Sequence, residues 1–330
     1  EWNDIEWQSV SVTFGLSTKR LAPEADIETQ QRQGVTTGDR VRVLATNGTE
    51  WIDGQVKASP VSGDGGVTLT VTHDAFQLFD ESVSISLTTP TDEQVLQEAL
   101  DQSGIGAQFT LNYAPTPVTL GDNYKVEDRK IRRVFTDMMD RAGRVWWIGF
   151  DQTIHVEELA GRTQWAALDT AQDRARVESW NPGDIQTVIN DVTVKGTGDE
   201  LVTGTARDST SVGTYGEHSE IVNVSYIRTE SEADAYAQEL LVPDPLSKAT
   251  VWAAASLGDT TSPAVNRTLA VTDTTTGLNN TLPVVEQTFG VQRNQSEGWL
   301  KFGLGQAVAA GFEPQNRRSK SRDDKFEGDD

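Results

Sequence analysis

Apolar residues alternate with polar ones through most of this chain, at the two-residue period of a half-buried strand. Val10, Val12 and Phe14 do so in QSVSVTFG, Val41 and Val43 in GDRVRVLA, and Val67, Leu69 and Val71 in VTLTVT. Asn47-Gly48 marks a turn, alternation resumes at Trp51, and the SGDGG run at 62–66 marks a second turn. Short strands at this spacing predict antiparallel β over residues 1–89, in a barrel or sandwich.

The period changes at Thr91. Thr91 and Gln94 form a capping-box pair, and Val95, Leu96, Ala99 and Leu100 give the helical face behind it, ended by Gly104. QFTLNY (108–113) reads as a strand. A second helix is predicted from about Asp128 to Ala142, with Ile131, Val134, Phe135, Met138, Met139 and Ala142 on one face and Gly143 as its stop. RVWWIGF and TIHVEEL, split by Asp151-Gln152, form a hairpin. Residues 90–165 therefore read as a small α/β domain inserted into a β chain.

Alternation returns from Trp180, with Val192 and Val194 in NDVTVKG. A turn is predicted over Ser211–Gly216, then a strand bearing Ile221, Val222, Val224, Tyr226 and Ile227. Thr229 and Glu232 make a second capping box, and Ala233, Tyr236, Ala237, Leu240 and Leu241 line the helix that follows, closed off by Pro243 and Pro245. ATVWAAAS, RTLAVTD, LPVVEQTFGVQ and GWLKFGLG supply the last strands, so residues 166–310 form a β-rich return segment with one helix. Residues 311–330 lose all periodicity, and their composition is that of a disordered tail.

Charge changes the picture. Fifty acids against 28 bases leave a net charge of −22, and 19 of the bases are Arg. Such a surface repels nucleic acid and anionic membranes. Strong acidity with few Lys resembles proteins of extreme halophiles, where salt shortens the Debye length to about 3 Å at 1 M. Desalting is expected to loosen the fold, read as a fall in melting temperature. There are no cysteines, which excludes disulfides and thiolate metal sites. No apolar run reaches the ~20 residues of a membrane-spanning helix, and the sequence from Glu1 shows no signal-peptide pattern.

Catalytic chemistry finds no foothold. GxSxG, HExxH and Walker patterns are absent. KGTGDE (195–200) lacks the Lys-Ser/Thr of a phosphate loop and reads as a turn. SGDGG lacks the acids of a calcium loop. His155 and Glu157 share a strand face, as metal ligands do, but with three histidines spread along the chain a surface hairpin is the expected reading. No catalytic residue, cofactor or metal site is assigned. Trp146 and Trp147, adjacent on a strand, face opposite sides; one is expected in the core, the other as an exposed interface aromatic. The candidate interface residues are the basic helix start, Arg129, Lys130, Arg132 and Arg133, suited to an acidic neighbour, and the tail cations Arg317, Arg318, Lys320 and Arg322, suited to docking on another subunit.

Over roughly residues 35–305 the order of these features resembles the baseplate hub, or tail-tip hub, proteins of long-tailed viruses and related contractile injection machines. The resemblance is carried by GDRVRV (38–43) with WIDGQV (51–56), by the helix running into RVWWIGFDQTIHVEE, and by NDVTVKG. Asp208 to Ser211, Tyr215-Gly216, the Ala-rich helix to Leu241 and GWLKFGLG (298–305) complete it. It implies a mainly β fold with an α+β insertion: two tail-tube-like β-barrels and a small inserted α/β domain. It also implies a homotrimer that matches a sixfold tail tube to a threefold tip. Implied partners are the tube or a distal tail protein, and spike or fibre proteins. With the acidic composition, the resemblance points to the virion of a haloarchaeal virus. A secreted β-rich adhesion module of a halophile and a tail-associated hydrolase are the competing classes; the second lacks an acid pair or metal cluster.

Overall fold

The computed structural model describes residues 5–305 apart from 17–21, 31–33, 45–47, 59–65, 121–122, 159–161, 184, 197–201, 225–226, 228, 256–262 and 294–296. Contacts divide the described residues into two units, one of 5–180 with 249–305 and the other of 181–248.

The first unit opens with β1 (Ser9–Gly15), β2 (Glu24–Thr29), β3 (Arg40–Leu44), β4 (Glu50–Ala58) and β5 (Val67–His73). An insertion follows: α1 (Ala75–Asp80), β6 (Ser82–Leu87), α2 (Asp92–Asp101), β7 (Thr110–Tyr113), β8 (Tyr124–Lys130), α3 (Ile131–Ala142), β9 (Arg144–Ile148) and β10 (Thr153–Glu158). Then come β11 (Gln164–Asp169) and β12 (Ala175–Asn181). The second unit contributes β13 (Asp191–Gly196), β14 (Thr203–Arg207), α4 (Ser209–Tyr215), β15 (Ser219–Val224) and α5 (Glu230–Glu239). The chain returns to the first unit through β16 (Lys248–Ala255), β17 (Thr268–Asp273), β18 (Leu278–Gln292) and β19 (Gly298–Gly305). The fold is mainly β with small helical insertions, as expected.

The strands from the two ends of the sequence share one sheet, in the order β12-β16-β19-β18-β1-β2-β5-β4-β3. Its centre is the antiparallel pairing of β1 with β18, which sets Val12 opposite Phe289 and Val10 opposite Val291. The first half of β18 pairs with β17, which in turn pairs with β11. The alternating apolar positions point to one core: Val12, Phe14, Val71, Phe289, Phe302 and Leu304 are all buried in it. Gly54 explains the apolar-x-Gly pattern of WIDGQV, because a Cβ there would overlap the Thr72 carbonyl oxygen on β5.

The insertion corrects some expectations. Residues 75–80, read as β, form α1, which buries Ala75, Leu78 and Phe79 at i, i+3 and i+4. α3 begins at Ile131 rather than near Asp128, because Tyr124–Lys130 pairs as β8 with β6. The Thr91–Gln94 capping box forms as read, and Gly143, at φ 61°, ends α3. The β9–β10 hairpin forms with Gln152 at φ 59° in its turn.

In the second unit β13 lies between β14 and β15. α5 carries the predicted Thr229–Glu232 capping box and buries Ala233, Tyr236 and Ala237 with Val192 and Val194 of β13. The turn expected at Ser211–Gly216 is the short helix α4. Asp208 caps it by accepting the Ser211 N–H at 2.8 Å, which is why it holds a helical turn. Ile221 is 61% exposed, so it does not join the core as the strand pattern suggested. Residues 62–65 of the predicted SGDGG turn and 197–200 of KGTGDE lie outside the described residues.

Candidate interaction surfaces

The basic cluster sits where β8 passes into α3. Arg129 and Lys130 end the strand, and Arg132 and Arg133 open the helix. Arg129 meets Asp137 at 2.5 Å, and Lys130 pairs with Asp80. The Lys130 hydrogen bond, the Lys130 charge and the more distant Arg132 charge hold the Asp80 carboxyl below its ordinary range. Two of the four cations are therefore spent on acids of this chain, which the run of bases alone does not reveal. Arg133 is exposed and Arg132 half-buried. Arg317, Arg318, Lys320 and Arg322 lie outside the described residues.

Neither adjacent tryptophan is exposed. Trp146 packs against Phe79 and Phe135, with ring centroids at 4.4 and 5.7 Å. Trp147 joins the sheet core from the other face of β9 and stacks on His155 at 4.1 Å. All five residues of β9 are buried, so the hairpin is internal rather than the surface hairpin expected from sequence. The reason is that helices cover one face of β9 and the main core covers the other. His155 and Glu157 do not converge on a metal. Burial first of all pushes the His155 pKa down, with the Glu157 and Asp151 charges opposing. The Glu157 carboxylate instead accepts Arg267 through both oxygens, at 2.8 and 3.3 Å, and the Asn266 amide at 2.7 Å. Among the described residues no group of three or more His, Cys, Asp or Glu is placed to hold a metal, and no helix is long and apolar enough to cross a membrane.

Two further charge clusters enclose buried carboxylates. Asp92, at the first position of α2, pairs with Arg144 of β9 and accepts the Tyr113 hydroxyl at 2.6 Å and the Val118 N–H at 2.9 Å. Arg144 also donates to the Thr116 carbonyl at 2.6 Å and lies 5.1 Å from the Tyr113 ring centroid. The second cluster joins β3, β4 and the end of β5. Arg40 bridges Asp53 at 2.7 Å and Asp74 at 2.8 Å, and Arg42 bridges Asp53 at 3.1 Å and Glu50 at 2.9 Å. Arg40, Arg42 and Asp53 come from the GDRVRV and WIDGQV motifs. Beside them His73 accepts the Ala75 N–H on Nδ1 at 3.0 Å, so the neutral ring carries its proton on Nε2. Burial lowers the His73 pKa to about 4; the Arg40 charge adds to this and the Asp53 charge opposes it.

The open surface with the most recognition chemistry lies at the β12 edge of the large sheet. A groove of about 360 Å³ is lined by Arg174, Arg176, Trp252, Glu297 and Trp299, with backbone between them. The two indoles meet at 4.5 Å, tilted by 45°. Trp299 seats over Gly290, where a Cβ would overlap its ring. Trp252 donates its Nε1–H to Glu178 at 3.0 Å, and Lys301 donates to the same carboxylate at 3.0 Å. Arg176 and Lys301 lie 5.4 and 5.1 Å from the Trp252 ring centroid, an arrangement favoured by the ring quadrupole. Arg174 pairs with Glu297. Period-two alternation places these side chains on the solvent face, but only strand order brings them together, so sequence reading missed the site.

No protein-family model matches the sequence, and no curated protein matches it. Solved structures of low identity share the fold. The 43 kDa tail protein of prophage MuSo2 from Shewanella oneidensis is similar at TM-score 0.70 and 13% identity, over 91% of this chain and 94% of that one. A tail protein from Neisseria meningitidis aligns at TM-score 0.68 and 15% identity, over 92% and 94%. The prophage tail protein gp18 from Listeria monocytogenes aligns at TM-score 0.62 and 11% identity, over 98% and 95%.

Proposed function

We propose that this chain is a structural hub of a virus tail, at the baseplate or tail tip. In this reading three copies form a ring that matches the sixfold tail tube to a threefold tip and lets the genome pass. Residues 1–89 and 166–310 supply two tube-like barrels per copy, and residues 90–165 the inserted domain. Neighbours are the tube or a distal tail protein on one side and spike or fibre proteins on the other. Arg133 and the tail cations face other proteins. The composition fits a virus of haloarchaea.

The observation that carries this reading is the fold likeness to phage tail proteins along nearly the whole of both chains. The sheet adds a physical reason. Its end strands, β12 and β3, each pair on one side among the described residues, and unpaired strand edges are hidden most economically in a closed ring.

The test is molar mass by light scattering, at about 2–3 M salt so that the repulsion of the acidic chains is screened. Three times the monomer mass, with a central channel in electron micrographs, is the expected result. A monomer at every salt and protein concentration, without tail-tube protein or with it, overturns the reading.

A further inference from the structure

We propose that the basic, aromatic groove at the β12 edge of one copy receives the acidic stripe of β2 from a second copy, and that this contact joins successive copies in the ring. The inference rests on the trimeric reading above and names the surfaces that would make it.

The groove departs from the acidic balance of the chain. The chain carries 50 acids and 28 bases, yet around the two tryptophans Arg174, Arg176 and Lys301 outnumber Glu178 and Glu297. Arg174 and Lys301 have acid partners. Arg176 is exposed and, among the described residues, engages the Trp252 ring and no carboxylate in an ion pair. Two preoriented indoles beside an exposed guanidinium, whose charge already helps to lower the Glu178 pKa, are the residue types that dominate binding energy at protein interfaces. The groove also adjoins the open backbone edge of β12.

The complementary surface lies in the first half of the same sheet. Glu24, Asp26 and Glu28 alternate along β2 with the buried Ala25, Ile27 and Thr29, so the three carboxylates form a row on the solvent side. Hydroxyls orient them: Ser9 donates to Glu28 at 2.6 Å and Thr70 to Asp26 at 2.8 Å. Hydroxyls neutralise nothing, and among the described residues Asp26 and Glu28 have no cationic partner. Glu24 lies 3.6 Å from Lys57.

Groove and stripe are different patches of one surface, so their contact is heterologous. Each added copy presents a fresh groove and a fresh stripe, and such a contact either closes into a ring or grows into a filament. Closure at three copies is what the hub reading requires. The basic start of α3, where Arg129 and Lys130 are likewise paired within the chain, is a poorer candidate because the nearby Trp146 is buried and, among the described residues, no open indole stands beside Arg132 and Arg133.

Charge reversal with rescue tests the pairing. Light scattering across about 0.15–2 M salt follows three variants, R176E, the double variant D26K/E28K, and the combination of all three changes, with circular dichroism recording that each chain is folded. R176E and D26K/E28K are each expected to weaken the trimer about tenfold or more at the lowest salt at which the parent is trimeric, as charge reversal at a close interfacial pair does. The combination is expected to restore most of the loss. A trimer indifferent to both reversals, or losses that the combination does not repair, overturns this contact and leaves the trimeric reading standing. A wild-type monomer overturns both.

Discussion

Asp92 and Asp53 are both almost sealed from water, but their cations are placed in opposite ways. Arg144 is buried with Asp92: the two side chains are 4% and 1% exposed. Arg40 keeps 45% of its side chain in water while it clamps Asp53 and Asp74, each 6% exposed. In the first cluster the carboxylate, hydroxyl, amide and carbonyl groups pair with one another and fasten α2 and the loop at 116–118 to β9, with Arg144 Nε left without a partner. In the second, a snorkelling arginine closes over two acids from the rim of the sheet. His73 Nε2 and Asp74 Oδ1 have no hydrogen-bond partner in that cluster. The first arrangement is a lock; the second is one that pH can loosen.

The sharpest break of this comparison is Arg144→Met. It leaves Asp92 buried without its cation, and removing one member of a buried pair costs about 3–5 kcal/mol. The expected result is a large fall in the urea midpoint. Adding Asp92→Leu is expected to recover part of it, since the stranded charge is gone. Recovery is incomplete because the Tyr113 hydroxyl and the Val118 N–H then lose their acceptor. A midpoint that barely moves on Arg144→Met would mean the pair opens to water, and the contrast with Arg40 would fall.

The rim cluster makes a pH prediction. The folded pKa of His73, about 4, lies below the ordinary value near 6.5, so between these pH values the unfolded chain binds more protons. Stability from neutral His73 is present above about pH 6.5 and is lost as pH falls towards 4. Burial raises the Asp74 pKa, against the pull of Arg40. A raised carboxyl pKa acts in the opposite direction, so it partly cancels the slope at the acid end of the window. The slope due to His73 alone is at most about 1.4 kcal/mol per pH unit. His73→Asn retains an acceptor for the Ala75 N–H but cannot titrate. The stability profile of that variant, from urea melts across pH 4–7, is expected to be flatter than that of the parent. Superimposable profiles would remove His73 from the account.

These clusters also show where sequence reading stops. The two capping boxes were legible because Thr91 with Gln94 and Thr229 with Glu232 lie three residues apart, within one helical turn. Gly143 was legible because a left-handed helix end calls for glycine. The short helices α1 and α4 were not, since six or seven residues carry too few repeats to separate a helical period from a strand or turn. The face of Trp147 could not be read from β9 itself: it belongs to a buried cluster that also holds Phe14, Phe150 and Phe289, gathered by a core that β1 and β18 build together. Asp92 and Arg144 lie 52 positions apart, and Arg176 lies on a different strand from either tryptophan of the groove. The alternation told which side of a strand faces out, but not which strand lies beside it.

The smallest expected effect is the control for the whole comparison. Lys130 and Asp80 also form an ion pair, but their side chains are 40% and 54% exposed. In water each charge is solvated without its partner, and holding two side chains together costs rotamer entropy that offsets much of the attraction. Lys130→Ala is therefore expected to leave the urea midpoint at neutral pH indistinguishable from that of the parent. If it instead fell as far as the midpoint of Arg144→Met, burial would not be what separates the charge pairs of this protein. Proximity alone would then explain them, and the lock formed by Asp92 and Arg144 would lose its special status.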